Sequence, residues 1–175
     1  LSFRAKGSMS FLDQALAIAL EGSVRIPPPV SGTKRDFRAT SPALALLATY
    51  IRSPVRVHLN TGFVFDNTRT LDDGNVTRQH ALGINNYNQW ASAVGIESRF
   101  ALGNLWLVPF LEYTLDVPVG PPRAFKVAPM RLIPGVRVLP WRGVVVDASV
   151  EVGLTGSRAP GIAPVPTYLA LLSLG

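Results

Sequence analysis

Along most of this chain apolar and polar residues alternate with a period of two, the spacing that sends successive side chains to opposite faces of a β-strand. The clearest run is WRGVVVDASVEVGLTG. Val144, Val146, Ala148, Val150, Val152 and Leu154 share one face, and Val145, Asp147, Ser149, Glu151 and Gly153 share the other, so both carboxylates fall on the second face. A helix, repeating every ~3.6 residues, would scatter these sets. PVRVHLNTGFVFDN behaves alike, with Val55, Val57, Leu59, Thr61, Phe63 and Phe65 opposing Arg56, His58, Asn60, Gly62, Val64 and Asp66. In QALAIALEGSVRI, Leu16, Ile18, Leu20 and Val24 oppose Ala17, Ala19, Glu21, Ser23 and Arg25.

Three further runs repeat the pattern. WASAVGIESRF sets Trp90, Val94, Ile96 and Phe100 against Glu97 and Arg99, and LWLVPFLEYTLDV sets Leu105, Leu107, Leu111, Tyr113 and Leu115 against Trp106, Phe110, Glu112 and Asp116. MRLIPGVRV separates Met130, Leu132, Val136 and Val138 from Arg131 and Arg137. Two segments do not declare a face. SPALALLATYIR is apolar on both, so only continuity with Arg52 and Pro54 assigns its inner side; TYLALLSLG puts Tyr168, Ala170, Leu172 and Leu174 outward with no charge to fix the parity.

The connections add a second regularity. Short ones at Ser10 to Asp13, Arg52 to Pro54, Leu102 to Asn104 and Pro140 to Gly143 alternate with long ones at Pro27 to Ser41, Asn67 to Arg78, Pro118 to Ala124 and Gly156 to Pro164. Outer-membrane barrels have short periplasmic turns and longer extracellular loops, whereas a soluble sandwich or lipocalin-like meander has no reason to alternate them. The best segments also run about 9 to 13 residues, the reach of a tilted membrane strand and longer than the usual globular strand.

The inventory is 1–8, 12–26, 42–52, 54–67, 79–101, 105–117, 126–139, 143–155 and 165–175, with a bulge or break expected in the long fifth strand near Asn86. The expected fold is all-β, an antiparallel transmembrane β-barrel of about 8–10 strands forming one domain over residues 1–175. An odd count of nine predicts either a strand upstream of Leu1 or a total of eight with the first misassigned.

Composition narrows the choice. The apolar fraction is 47% and the mean hydropathy +0.25, with Gly 15 and Pro 15, too many for a mainly helical chain. The longest apolar stretch, Ala43 to Ile51, ends at Arg52 and is far below the ~18 residues a membrane helix needs. In a bilayer, only a closed barrel then satisfies the backbone. Tyr50, Trp90, Tyr113 and Tyr168 take outward positions near segment ends, where aromatic rings favour the headgroup region. The absence of cysteine removes disulfides and thiolate chemistry. The net charge of +6 is spread singly except at Lys34, Arg35 and Arg38, which weighs against nucleic acid as a partner.

The opposite face carries the candidate chemistry: Arg4, Lys6, Glu21, Arg25, Arg56, Glu97, Arg99, Glu112, Asp116, Arg131, Arg137, Asp147 and Glu151. Enclosed charges must pair, hydrogen-bond or reach water. A lumen network of structural ion pairs is therefore expected, with a hydrated conducting path as the alternative. His58 and His80 belong to no HExxH or recognisable triad, and no GxGxxG or GxxxxGK stretch exists, so no catalytic, metal or cofactor site is expected. PPPVSGTKRDFRATS joins stiff prolines to a basic cluster and suits a solvated loop or the phosphates of lipopolysaccharide; Asp72-Asp73-Gly74-Asn75 is a turn with too few carboxylates for an EF-hand.

RQHALGINNYNQWASAVGIESRFALGNLWLVPFLEYTLDVP, RLIPGVRVLPWRGVVVDASVEVGL and VPTYLALLSLG resemble barrel domains of myxobacterial outer-membrane proteins related to the OmpA-type group, over roughly residues 42–175. The resemblance implies an integral outer-membrane barrel among lipid, lipopolysaccharide and other envelope or surface proteins, in surface machinery or outer-membrane exchange. The implied role is to anchor or organise a surface assembly rather than to catalyse; a small passive pore is the competing expectation. A periplasmic peptidoglycan-binding domain, which some of that group carry, is not within this stretch.

Overall fold

Among the described residues each alternating run contains a β-strand. The computed structural model describes residues 1–26, 39–71, 86–120, 124–140, 144–155 and 167–174. The strands are β1 (Ser2–Phe11), β2 (Leu16–Arg25), β3 (Ser41–Arg52), β4 (Val55–Val64), β5 (Gln89–Ser98), β6 (Phe100–Leu102), β7 (Leu105–Pro118), β8 (Met130–Leu139), β9 (Val146–Gly153) and β10 (Tyr168–Leu174). They form one antiparallel ten-stranded sheet in the order β1-β2-β3-β4-β5-β7-β8-β9-β10. The three-residue β6 pairs only β7 and prolongs β5 past an interruption at Arg99. The sheet is thus a meander of nine long strands.

Several boundaries move. The first strand extends past residue 8 to Phe11, because Met9 and Phe11 keep the outward parity of Phe3. The turn that follows holds Leu12, Asp13 and Gln14 at φ of 51°, 50° and 70°, left-handed conformations without a glycine to announce them. Residues 126–127, expected at the start of a strand, belong to the helical turn α1 (Ala124–Val127), and β8 starts at Met130. In the fifth segment Asn86 and Tyr87 are bends before β5, and residues 79–85 lie outside the described set. At the β6–β7 turn Gly103 takes φ of 59°, where a side chain would be strained. The Ser53–Pro54 peptide between β3 and β4 is cis.

The two kinds of connection occupy opposite ends of the sheet. β1–β2, β3–β4, β6–β7 and β8–β9 are joined at one end, the turn end; β2–β3, β4–β5, β7–β8 and β9–β10 are joined by the longer stretches at the other, the loop end. The ladders are also staggered. One row of directly paired residues runs Met9, Ile18, Ala48, Leu59, Val94, Tyr113, Leu132, Val152, Tyr168. It starts near the turn end of β1 and finishes on the first residue of β10 at the loop end, so the strands lean as they do in a barrel wall. Every member of the row is apolar or aromatic.

The sheet has two edges. Nine alternating strands leave β1 and β10 running in the same direction, so no antiparallel ladder can join them directly, and none does. The closed barrel expected from the pattern is therefore present as a curled, open sheet. Its curl is marked by Lys6 of β1 and Arg137 of β8 lining one cavity.

The two faces are chemically inverted relative to a water-soluble domain. Leu20, Leu44, Leu46, Leu59, Trp90, Val94, Ile96, Leu111 and Val150 stand exposed on the outer face, Leu59 at 47% and Val94 at 48%. The buried apolar residues among those described are few and mostly small: Ala19, Ala39, Val108, Pro118, Ala128 and Pro129. β3 follows suit. Leu44, Leu46 and Tyr50 face out while Ala43, Ala45, Leu47 and Thr49 are more enclosed, which puts Arg52, at the turn, on the outward parity rather than the inward one.

Candidate functional site

The inner face brings the sequence-predicted charges into two groups. In the first, Glu97 of β5 is the hub. Its Oε1 lies 3.3 Å from Arg56 of β4 and 3.7 Å from Nε2 of His58, and its Oε2 lies 3.5 Å from Arg137 of β8. Arg137 also donates to Asp147 of β9, with both Nε and Nη2 at 3.1 Å from Oδ2. In the second group Arg131 of β8 donates to Asp116 of β7 at 3.1 Å and approaches Glu151 of β9 at 3.3 Å through Nε, without hydrogen-bond alignment. These carboxylate side chains are 13–21% exposed, and the arginines 31–38%. Charges so enclosed depend on each other more than surface pairs do.

Alternation explains the grouping. Cross-strand partners on one face are separated by one strand spacing, and long side chains reach the diagonal neighbour or further. Arg56 is directly opposite Glu97, and Arg137 directly opposite Asp147. To reach Glu97 as well, Arg137 passes over β7, where its guanidinium sits 5.6 Å from the centroid of the Phe110 ring. That ring in turn covers Gly135, its partner across the β7–β8 ladder, and occupies the space a Cβ there would need. Gly62 is required for a similar reason, because a Cβ would meet the Leu44 carbonyl oxygen at 2.5 Å.

The remaining expected members stand apart. Glu21 is opposite Lys6 in the β1–β2 ladder, and Glu112 lines a cavity between Gly95 and Ile133; neither makes an ion pair within 4.0 Å among the described residues. Arg25, opposite Ser2, is exposed at the loop end. Arg99 lies at the β5–β6 interruption and stacks on Trp106 at 4.1 Å. Two cavities follow the inner face. One of about 490 Å³ is bordered by Lys6, Arg56, His58, Glu97, Glu112 and Arg137. The other, of about 600 Å³, lies nearer the loop end beside Arg4, Arg25, Asp66 and Asp116.

Two features escaped the sequence reading. The Nδ1 of His58 is 2.9 Å from Thr49 Oγ1, so a hydroxyl, an imidazole and Glu97 lie in line. Glu97 is also held by Arg56 and Arg137, so the hydroxyl and the imidazole are tied into the ion-pair group. His58 was legible as inward-facing; its partners were not. The second feature is a polar knot at the loop end. Asp66 accepts from the Thr68 backbone N–H at 2.9 Å and its hydroxyl at 2.6 Å, while the Asp66 N–H donates to Asn88 at 3.0 Å. Asn67 donates from its backbone to Ser41 at 3.1 Å and from its side chain to the Thr40 carbonyl at 2.7 Å, locking β3, β4 and β5 together.

No group of three or more His, Cys, Asp or Glu side chains suited to a metal ion occurs among the described residues. His80, the basic stretch around Lys34, Arg35 and Arg38, and the turn Asp72-Asp73-Gly74-Asn75 lie outside them. Comparison with protein-family models, with curated proteins and with solved structures finds no match.

Proposed function

We propose that this chain forms the wall of an integral outer-membrane β-barrel whose role is to anchor or organise a protein assembly at the cell surface. The observation that carries the reading is the inversion of its faces: large apolar side chains exposed on the outside and ion pairs on the inside. Removing one Leu or Phe side chain from water is worth about 1.5–3 kcal/mol, and an outer face of this kind forgoes that gain repeatedly unless hydrocarbon covers it. Strand length, leaning registers and the segregation of long connections to one end support the same reading. The resemblance to OmpA-type barrel domains agrees with it. Arginines spanning neighbouring strands favour a wall held shut over an open channel.

A small passive pore is the second reading, favoured by the cavity of about 490 Å³ beside the ion pairs. Planar-bilayer recording separates the two. A structural barrel gives no persistent openings over repeated insertions. Persistent openings whose ion preference reverses with Arg131→Glu make the inner face a conducting path instead.

A further inference from the structure

We propose that the turn-end mouth of the inner face holds a binding site for a small organic monocarboxylate, built around Arg99 stacked on Trp106. A cavity of about 280 Å³ lies there, bordered by Ile51, Pro54, Val55, Arg56, Arg99 and Trp106. It is framed by β3, β4, β5 and β7, each of which has a ladder on both sides, so its walls owe nothing to the edges of the sheet.

The registers assemble the site. Arg56 is opposite Glu97, and Arg99, two residues on with the same parity, falls beyond that pair toward the mouth, its backbone N–H donating to the Pro54 carbonyl at 3.0 Å. The β5–β7 and β6–β7 ladders share one register, so parity carries through Arg99, and the pairing of Ala101 with Trp106 brings the indole to the same face. Arg99 and Trp106 are then diagonal neighbours, within reach of a long and an aromatic side chain. The Arg99 guanidinium lies over the indole, 4.1 Å from the ring centroid.

A guanidinium stacked in this way presents its N–H donors edgewise, as a fork that fits the two oxygens of a carboxylate. Here the fork has no acid. Arg99 makes no ion pair among the described residues, while Arg56 beside it gives Nη1 to Glu97. The charges at this end set the valence of the guest. Arg56, Arg99 and Arg137 stand with Glu97 and Asp147, so three guanidinium groups meet two carboxylates and one positive charge is left over. A monoanion balances it; a doubly charged phosphate brings one charge too many. Ile51, Pro54 and Val55 line the cavity with carbon, which suits a short aliphatic tail and gives a bare inorganic anion nothing to touch. Arg56 borders this cavity and the larger one of about 490 Å³, so the guest lies against the outermost pair of the Glu97 group. On the barrel reading this mouth faces the periplasm, but the chemistry does not depend on it.

Ligand-observed NMR tests the site, with isovalerate as the probe and the full chain folded in phosphatidylcholine vesicles at fixed ionic strength, against empty vesicles. Saturation transfer to the isovalerate methyl groups is expected, saturable with a half-point on the order of 1 mM. Uncharged isovaleramide should show roughly a tenth of that transfer or less. Arg99→Met should weaken binding about tenfold, and Arg99→Lys by less, because an ammonium keeps the charge without the fork. Arg25→Met, at the loop end, should change nothing. Four results overturn the proposal: no saturable transfer, equal transfer to isovaleramide, displacement of the probe by inorganic phosphate more readily than by acetate, or unchanged binding in both Arg99 variants. An acid of the protein's own held against Arg99 produces the first of these, so the outcome does not hang on which segments adjoin the described residues. Lipid quenching of Trp90 judges the barrel reading separately, and neither result decides the other.

Discussion

Arg137 and Glu97 meet at 3.5 Å although the whole of β7 lies between their strands. The contact is possible because Phe110, the residue that separates them on the inner face, lies flat enough over Gly135 for a guanidinium to cross it. Size at position 135 therefore governs an ion pair two strands wide.

Gly135→Ala should destabilise the protein by about 1–3 kcal/mol, since the ring must leave its place. Adding Phe110→Ala should recover part of that loss, so a double-mutant cycle in urea has a coupling energy of clear sign. Additive effects would mean that the ring does not depend on the glycine.

The arginines should differ in importance according to what each leaves behind. Arg131→Met strands both Asp116 and Glu151, whereas Arg56→Met leaves Glu97 with Arg137 and His58. Because these side chains are partly exposed, the losses fall between surface and buried pairs: about 2 kcal/mol for Arg131 and below about 1 kcal/mol for Arg56. Urea midpoints of the two variants in matched vesicles test the order.

A charge placed on the outer face should be penalised by hydrocarbon. Leu59→Arg sits mid-strand on the exposed apolar row and should cost about 2–4 kcal/mol in phospholipid vesicles, while Asn60→Arg, one residue on and facing inward, should cost far less. Equal costs would contradict a lipid-facing exterior.

Trp90 and Trp106 lie on opposite faces, so they should see different surroundings. In variants keeping one tryptophan, the others being replaced by Phe, brominated lipid should quench Trp90 strongly and Trp106 weakly. The reverse result would exchange inside and outside.

The β1–β2 turn holds three left-handed residues, none of them glycine. Gln14→Gly should raise stability by about 1 kcal/mol, read as a higher urea midpoint, because an L side chain no longer opposes the conformation.

The strands were legible wherever a charge pinned the parity. Asp147 and Glu151 fix the faces of β9 unaided, and Arg56 and His58 those of β4. β3 carries no charge between Ser41 and Ile51, so its own residues fix no parity; Tyr50, expected outward, does face out with Leu44 and Leu46, and Arg52 at the turn shares that parity. The left-handed turn after Phe11 lacked the Gly or Asn that marks such sites. Of the candidate network, residue types and their common face were readable, but the partners were not. Arg137 reaching Glu97 depends on the registers of two ladders, a ring orientation and a missing Cβ, none of which is local in the chain.

The same inner network grades the molecule's resistance to pulling. Drawn from its C-terminal end, β10 peels from β9 against ladder bonds alone among the described residues. Next, β9 is tied through Arg137–Asp147 and Arg131–Glu151 to arginines that also clasp β5 and β7. A force trace should therefore begin with a soft step and stiffen at the second strand, the molecule behaving as a loose hem sewn to a cross-stitched panel.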